Sequence, residues 1–127
     1  MAKKLGVLVD TDIFIEYFNH RLFRDFFESG RFQVYYSVVT KKELLSKSGL
    51  SATEQKVIKS FLKKYRMLSL SVQILNQYSL FRRQYRHAEK EDCLIAATAM
   101  TKRLPLVTRN YRHFKIFDKL KLYFYIR

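Results

Sequence analysis

At 127 residues, with 48% hydrophobic and 16% aromatic side chains, one Pro and three Gly, the chain suits one buried core, and its composition excludes disorder and loop-rich scaffolds. Twenty-five Lys and Arg against 11 Asp and Glu leave a formal charge of +14 and a pI near 10.0, which favours a polyanionic partner: nucleic acid first, an acidic protein second. A single cysteine, Cys93, excludes an intrachain disulfide and a thiolate metal cluster and fits a reducing compartment.

The first element is a short apolar run over residues 5–9, the pattern of a fully buried strand, ended by acids. Asp10 and Asp12 interrupt it far short of a secretory or membrane-spanning segment, so a cytoplasmic protein without membrane association is expected. A helix starts near Asp12, capped by Asp12 or Thr11, with Ile13, Phe14, Tyr17 and Phe18 as its apolar stripe. Leu22, Phe23, Phe26 and Phe27 suggest a second, short helix that Ser29 and Gly30 stop. Residues 32–39, rich in Val and Tyr, read as a second buried strand ending at Thr40, and residues 41–46 as a helix with Glu43 in its first turn.

Ser51 and Glu54 have capping-box spacing, and Val57, Ile58, Phe61, Leu62 and Tyr65 supply the apolar face of the following helix. Residues 67–70 are a short strand, after which helical spacing runs from Val72 toward a basic end at Arg82, Arg83 and Arg86. Residues 91–100 combine good helix formers with small side chains, as a central, nearly buried helix would. A strand over 104–107 exits through Thr108, Arg109 and Asn110. One helical turn through His113 and Phe114 and a last aromatic strand over 122–126 follow.

Strands separated by helices imply a parallel sheet covered on both faces, with ligand sites beyond the carboxyl ends of the strands. Asp10, Glu43, Asp92 and Asn110 each follow or close an apolar element, so one crevice can collect all four. Each also has an ordinary reading. Asp10, Asp12 and Asp92 suit helix starts, Glu43 suits a solvated position facing Lys47, and Asn110 suits a turn. Carboxylate oxygens gathered in a crevice would favour Mg²⁺ or Mn²⁺, hard ions that take oxygen ligands.

Four blocks carry a more specific signal: Leu8-Val9-Asp10-Thr11-Asp12; Ser37-Val38-Val39-Thr40 with Glu43-Leu44-Leu45; Asp92 with Leu94-Ile95-Ala96-Ala97-Thr98-Ala99; and Leu106-Val107-Thr108-Arg109-Asn110 with His113-Phe114. In this order, spanning nearly the whole chain, they resemble a PIN domain of the VapC type. The resemblance implies a single α/β domain over residues 1–127, a three-layer α/β/α fold around a mostly parallel sheet of four or five strands. It assigns catalysis to Asp10, Glu43, Asp92 and Asn110, with metal binding by Asp10, Glu43 and Asp92. Asp12 is a supporting residue, and Thr108 is placed to orient a water at the metal. The fourth position is often Asp in the family. Asn110 accepts through its carbonyl oxygen but removes one negative charge, which bears on the number of ions held.

The activity implied is Mg²⁺- or Mn²⁺-dependent endoribonuclease, leaving 5′ phosphate and 3′ hydroxyl ends without a histidine general base. The implied role is the toxin of a type II VapBC pair that inhibits translation or growth, with RNA as substrate, a cognate antitoxin as partner, and a homodimer as assembly. Two rival readings stand beside it: a basic RNA-binding module that does not cleave, and a nuclease of RNA maturation outside any toxin–antitoxin pair. Lys41, Lys42, Arg82, Arg83, Arg86, Arg109 and Arg112 are the candidate RNA contacts, with Tyr85 and Tyr111 as candidate stacking platforms; a solvated basic face and core packing are the ordinary alternatives. His20, His87 and His113 read as structural or surface residues, with His87 near enough to Asp92 in sequence to touch substrate, and Cys93 as a packed side chain.

Overall fold

The computed structural model describes residues 3–124. In chain order the elements are β1 (Leu5–Val9), α1 (Thr11–His20), α2 (Arg24–Glu28), β2 (Phe32–Ser37), α3 (Val38–Leu45), α4 (Ala52–Leu62), β3 (Arg66–Leu68), α5 (Val72–Gln84), α6 (Lys90–Lys102), β4 (Leu106–Val107) and α7 (Tyr111–Phe114). The strands form one four-stranded sheet in the order β3-β2-β1-β4, and every pairing is parallel. Because side chains alternate across a strand, the central strand β1 sends Val7 and Val9 to one face and Leu8 to the other. Val7 and Val9 join Ile13, Phe14, Phe26, Leu44 and Leu62 from α1 to α4, whereas Leu8 joins Ile74, Phe81, Ile95 and Phe114 from α5 to α7. The result is the expected three-layer α/β/α arrangement. No helix among the described residues is long and apolar enough to cross a membrane.

Local chemistry moved several boundaries. Helix α1 is capped by Asp10 rather than by Asp12 or Thr11: Asp10 is still extended (φ −74, ψ 159), and its carboxylate accepts from the Thr11 N–H. The second strand stops at Ser37 rather than running to Val39, because the Ser37 hydroxyl accepts from the Val39 N–H and caps α3. The β-branched Val38, Val39 and Thr40 therefore begin a helix against their intrinsic preference, and Glu43 falls in its second turn, not its first. The capping box at Ser51 and Glu54 is present in both directions. Helix α5 ends at Gln84, leaving Arg86 in the loop before α6, and β4 is confined to Leu106 and Val107. Of the last expected strand, Leu122 makes a single parallel bridge to Leu106; residues 125 and 126 lie outside the described residues.

Candidate active site

The order β3-β2-β1-β4 places the reversal of strand order between β1 and β4. A crevice opens there beyond the carboxyl ends of the strands. Asp10 directly follows β1, and Thr108 follows β4. The Thr108 hydroxyl donates to Asp10 Oδ2 at 2.8 Å and accepts from the Asn110 N–H at 3.0 Å, while Asp10 Oδ1 accepts from the Thr11 N–H at 2.8 Å. The Thr108 hydroxyl thus helps to position the Asp10 carboxylate.

Helix α1 aims the next two residues into the same crevice. The Thr11 hydroxyl lies 2.8 Å from Glu43 Oε1 on α3 and 3.0 Å from the Thr40 hydroxyl. An ionised Glu only accepts, so Thr11 donates to Glu43 and Thr40 donates to Thr11. Asp12 Oδ2 accepts from the Arg109 N–H at 3.2 Å, tying α1 to the loop after β4, and Asp12 Oδ1 is buried without a hydrogen-bond partner. Asp92, in the first turn of α6, has Oδ2 3.3 Å from His113 Nδ1 on α7.

These side chains line one cavity of about 270 Å³. Asp10, Asp12, Glu43, Glu89, Glu91 and Asp92 surround it with Asn110, so six of the chain's eleven acids meet in one place, and no Lys or Arg is among the lining residues. The electrostatic consequences follow directly. Burial, reinforced by the Asp12 charge, pushes the Asp10 carboxyl up from 3.8 to about 7 against the Thr108 hydroxyl and Thr11 N–H, which favour its charged form. Burial also raises Asp12, opposed by the Arg109 N–H and guanidinium. Asp92 is raised by burial and by Glu89, with His113 pulling the other way.

The cavity's donor set is hard oxygen throughout, with an orphaned carboxylate oxygen on Asp12 and a carboxyl on Asp10 held far from its ordinary pKa; a divalent cation would relieve both. Among the described residues no three His, Cys, Asp or Glu side chains close into a ready-made metal cage. Glu43 is held by Thr11 and Asp92 faces His113, so each acid has its own tether. Mg²⁺ keeps several of its own waters and needs few direct protein ligands, so this set of oxygen donors suits it without an all-protein shell.

The PIN-domain family model matches residues 7–120, nearly the whole chain and all of the crevice. The chain belongs to the PIN-domain family. Ribonuclease VapC1 of Methanocaldococcus jannaschii is 30% identical over 126 residues, covering 89% of this chain and 88% of that protein. In structure this PIN domain is similar to a chain of a toxin–antitoxin complex from Klebsiella pneumoniae, with TM-score 0.76, 25% identity, and coverage of 90% of this chain and 94% of that one. A chain of the Rickettsia felis VapBC2 structure, bound to a DNA fragment from its promoter, superposes with TM-score 0.81 at 22% identity, over 94% and 98% of the two chains. The PIN domain is therefore of the VapC type, as its sequence blocks implied.

The fold brings Asp10, Asp12, Glu43, Asp92 and Asn110 of the PIN domain to one cavity, with Thr108 behind Asp10. Three contributors escaped the sequence reading. Glu89 and Glu91 flank Asp92 in an acidic run that was itself the available signal. His113, read as structural or surface, contacts Asp92 through a pairing that sequence distance hides. The basic candidates divide. Arg82 Nη1 donates to the Ala88 carbonyl at 2.7 Å and Arg109 Nη1 pairs with Glu16 at 2.8 Å, so both guanidinium groups brace the protein. Lys41, Lys42 and Arg83 are not among the cavity's lining residues, whereas Arg86 and Arg112 line the cavity next to it. Tyr85 packs on Phe81 and Phe117, accepts from the Asp118 N–H and lines the cavity beside Arg86, and Tyr111 stacks on Phe124 at 5.3 Å.

Thr108→Val keeps the shape of the side chain but strips Asp10 Oδ2 of its donor and the Asn110 N–H of its acceptor. It is expected to lower stability by about 1–3 kcal/mol in denaturant unfolding, with Thr108→Ser close to the parent.

Proposed function

We propose that this PIN domain is a divalent-metal-dependent endoribonuclease, the toxin of a VapBC-type pair, acting as a single nuclease domain in the cytoplasm. The observation that carries this reading is the gathering of six carboxylates around one cavity in a chain of net charge +14. A polyanion is drawn to the molecule as a whole, and only a cation reconciles it with the acids at the crevice.

Asp10, Glu43 and Asp92 would hold Mg²⁺ or Mn²⁺, with the Asn110 carbonyl oxygen as a neutral neighbour. Bound there, the ion would polarise the scissile phosphate and lower the pKa of the attacking water. The chain's own part is positional. Thr108 and the Thr11 N–H fix both oxygens of Asp10, the Thr11 hydroxyl fixes Glu43, and His113 fixes Asp92. Asp12 holds the backbone after β4 through Arg109, so the Asn110 loop cannot drift from β1. Single-stranded or loop RNA is the natural client, because unstacked bases leave a phosphate accessible to an open crevice. Incubation of the purified protein with total RNA, in Mg²⁺ or Mn²⁺ and in EDTA, tests the reading: discrete metal-dependent fragments support it. Binding without cleavage under every metal would replace it with the RNA-binding module.

The antitoxin has a candidate seat. A groove of about 830 Å³, lined by the apolar Ile15, Phe18, Leu44, Leu50, Val57 and Ile58, runs into the acidic cavity through the shared Thr11, Ile15 and Glu43. An amphipathic antitoxin segment would bury its apolar side there and present a cationic side chain to the acids, excluding metal and RNA together. Val57 is 63% exposed in the groove. Val57→Glu is expected to weaken antitoxin binding at least about tenfold in titration calorimetry while the melting temperature stays unchanged. For the homodimer, the exposed apolar side chains of Met67 on the edge strand β3 and of Leu70, Val72 and Leu75 after it are candidate contacts.

A further inference from the structure

A second cavity, of about 490 Å³, adjoins the acidic one and shares Glu89 and Asp92 with it as a common wall. Its other walls carry different chemistry: Gln84, Arg86, His87, Arg112, His113 and Ile116. We propose that this cavity is a nucleotide subsite for single-stranded RNA, taking the base and phosphate that flank the scissile bond and setting the base preference at that one position. The inference rests on the endoribonuclease reading and deepens it.

Size and lining agree with such an occupant. The volume lies within the roughly 300–1,000 Å³ of small-ligand sites. Ile116 is 44% exposed and offers an apolar surface to a base face. The Gln84 amide and His87 ring can read a base edge, and two guanidinium groups can meet phosphate. Glu89, on the shared wall, repels phosphate, so the backbone of the RNA would run on the Arg86 and Arg112 side.

The cationic side chains are also free for the task. Among the described residues, Arg21, Arg31 and Arg109 are paired with acids and Arg82 with a backbone carbonyl, while no hydrogen bond or ion pair engages the side chains of Arg86, His87 or Arg112. The loop that carries Arg86 and His87 is nevertheless rigidly framed. Arg82 holds the Ala88 carbonyl, the Ala88 N–H donates to the Tyr85 carbonyl at 3.1 Å, and the Tyr85 hydroxyl accepts from Asp118 at 3.1 Å. Unpaired recognition groups on a braced loop are what a preorganised subsite requires. His113 joins the two cavities, since it lines this one while contacting Asp92 of the other.

The test has two arms. In the first, a randomised single-stranded RNA library is cut in Mg²⁺ by the parent and by the Gln84→Ala, His87→Ala and Ile116→Ala variants, and the ends are sequenced. Base preference at one position beside the cut should flatten, with KM rising about tenfold. In the second, binding of a short single-stranded RNA is measured in EDTA across a salt series. Arg112→Ala should reduce the slope of log affinity against log salt by about 0.7, the loss of one phosphate contact. If the parent cuts RNA but the variants keep both preference and slope, the subsite is wrong and the nuclease reading stands. If the parent cuts under no divalent cation while the slope still depends on Arg112, the nuclease reading and the placement beside a scissile bond are both overturned, and the cavity is a phosphate-binding site only. Variants that alter antitoxin affinity but neither preference nor slope would make the cavity a protein contact and overturn the proposal.

Discussion

Replacing Asp10 or Asp92 with Asn is expected to lower single-turnover RNA cleavage by about 10²–10³-fold, the size of effect produced when one preorganised electrostatic group is removed from a reacting centre. Asn keeps the volume and hydrogen-bonding reach of Asp and removes only its charge. The Asp10 site can accommodate it, because its oxygens are held by the Thr108 hydroxyl and the Thr11 N–H, and the hydroxyl can turn to accept from an amide. Circular dichroism should therefore show an intact fold beside the lost activity. Glu43→Gln should cost less, on the order of tenfold, since Glu43 is exposed and its Thr11 contact survives the change. Cleavage by Asp10→Asn at the parental rate would remove the metal-site reading altogether.

In EDTA the protein should lose stability as pH rises, the reverse of ordinary acid denaturation. Asp10 holds its proton to about pH 7 in the folded state, because burial and the Asp12 charge raise its carboxyl from the ordinary value of 3.8. Below that ordinary value both states are protonated and there is no differential. Between it and about 7 the unfolded chain ionises freely while the folded chain resists, so stability falls across this window and levels off above it. Asp12 and Asp92, also raised by burial, act in the same direction. By linkage the Asp10 contribution has an upper bound of roughly 4 kcal/mol. Asp10→Asn should accordingly melt at least about 5 °C above the parent at pH 8 in EDTA and match it near pH 4. Mg²⁺ should raise the parent's melting temperature at pH 8 and leave Asp10→Asn little changed. A parental melting temperature that is flat from pH 5 to 8 would show that Asp10 is not buried against its charge.

The site was legible in the sequence to the extent that its residues close apolar elements. Asp10 after a buried run, Asp92 at the head of a small-residue helix and Asn110 after a short strand are local facts, and a parallel sheet collects such positions at one edge. Contacts between those positions were not legible. Thr108 and Asp10 are 98 residues apart, and only the pairing of β4 beside β1 brings the hydroxyl to the carboxylate. The basic residues make the same point. Arg82, Arg86 and Arg109 look alike as charges in a string, yet one braces a loop, one lines a cavity free of partners and one is tied to Glu16.

By itself, then, the amino-acid order determined the alternation of strands and helices, the caps at Ser51 and Glu54, and the set of acids available for one crevice, because periodicity, capping and strand ends are properties of neighbours along the chain. Only the tertiary structure decided that β2 stops at Ser37, that Glu89 and Glu91 join the cavity, that His113 meets Asp92, and that Asp10 is buried enough to resist ionising. Burial and cross-chain hydrogen bonds depend on which elements are packed side by side, and strand order sets that through contacts between distant segments.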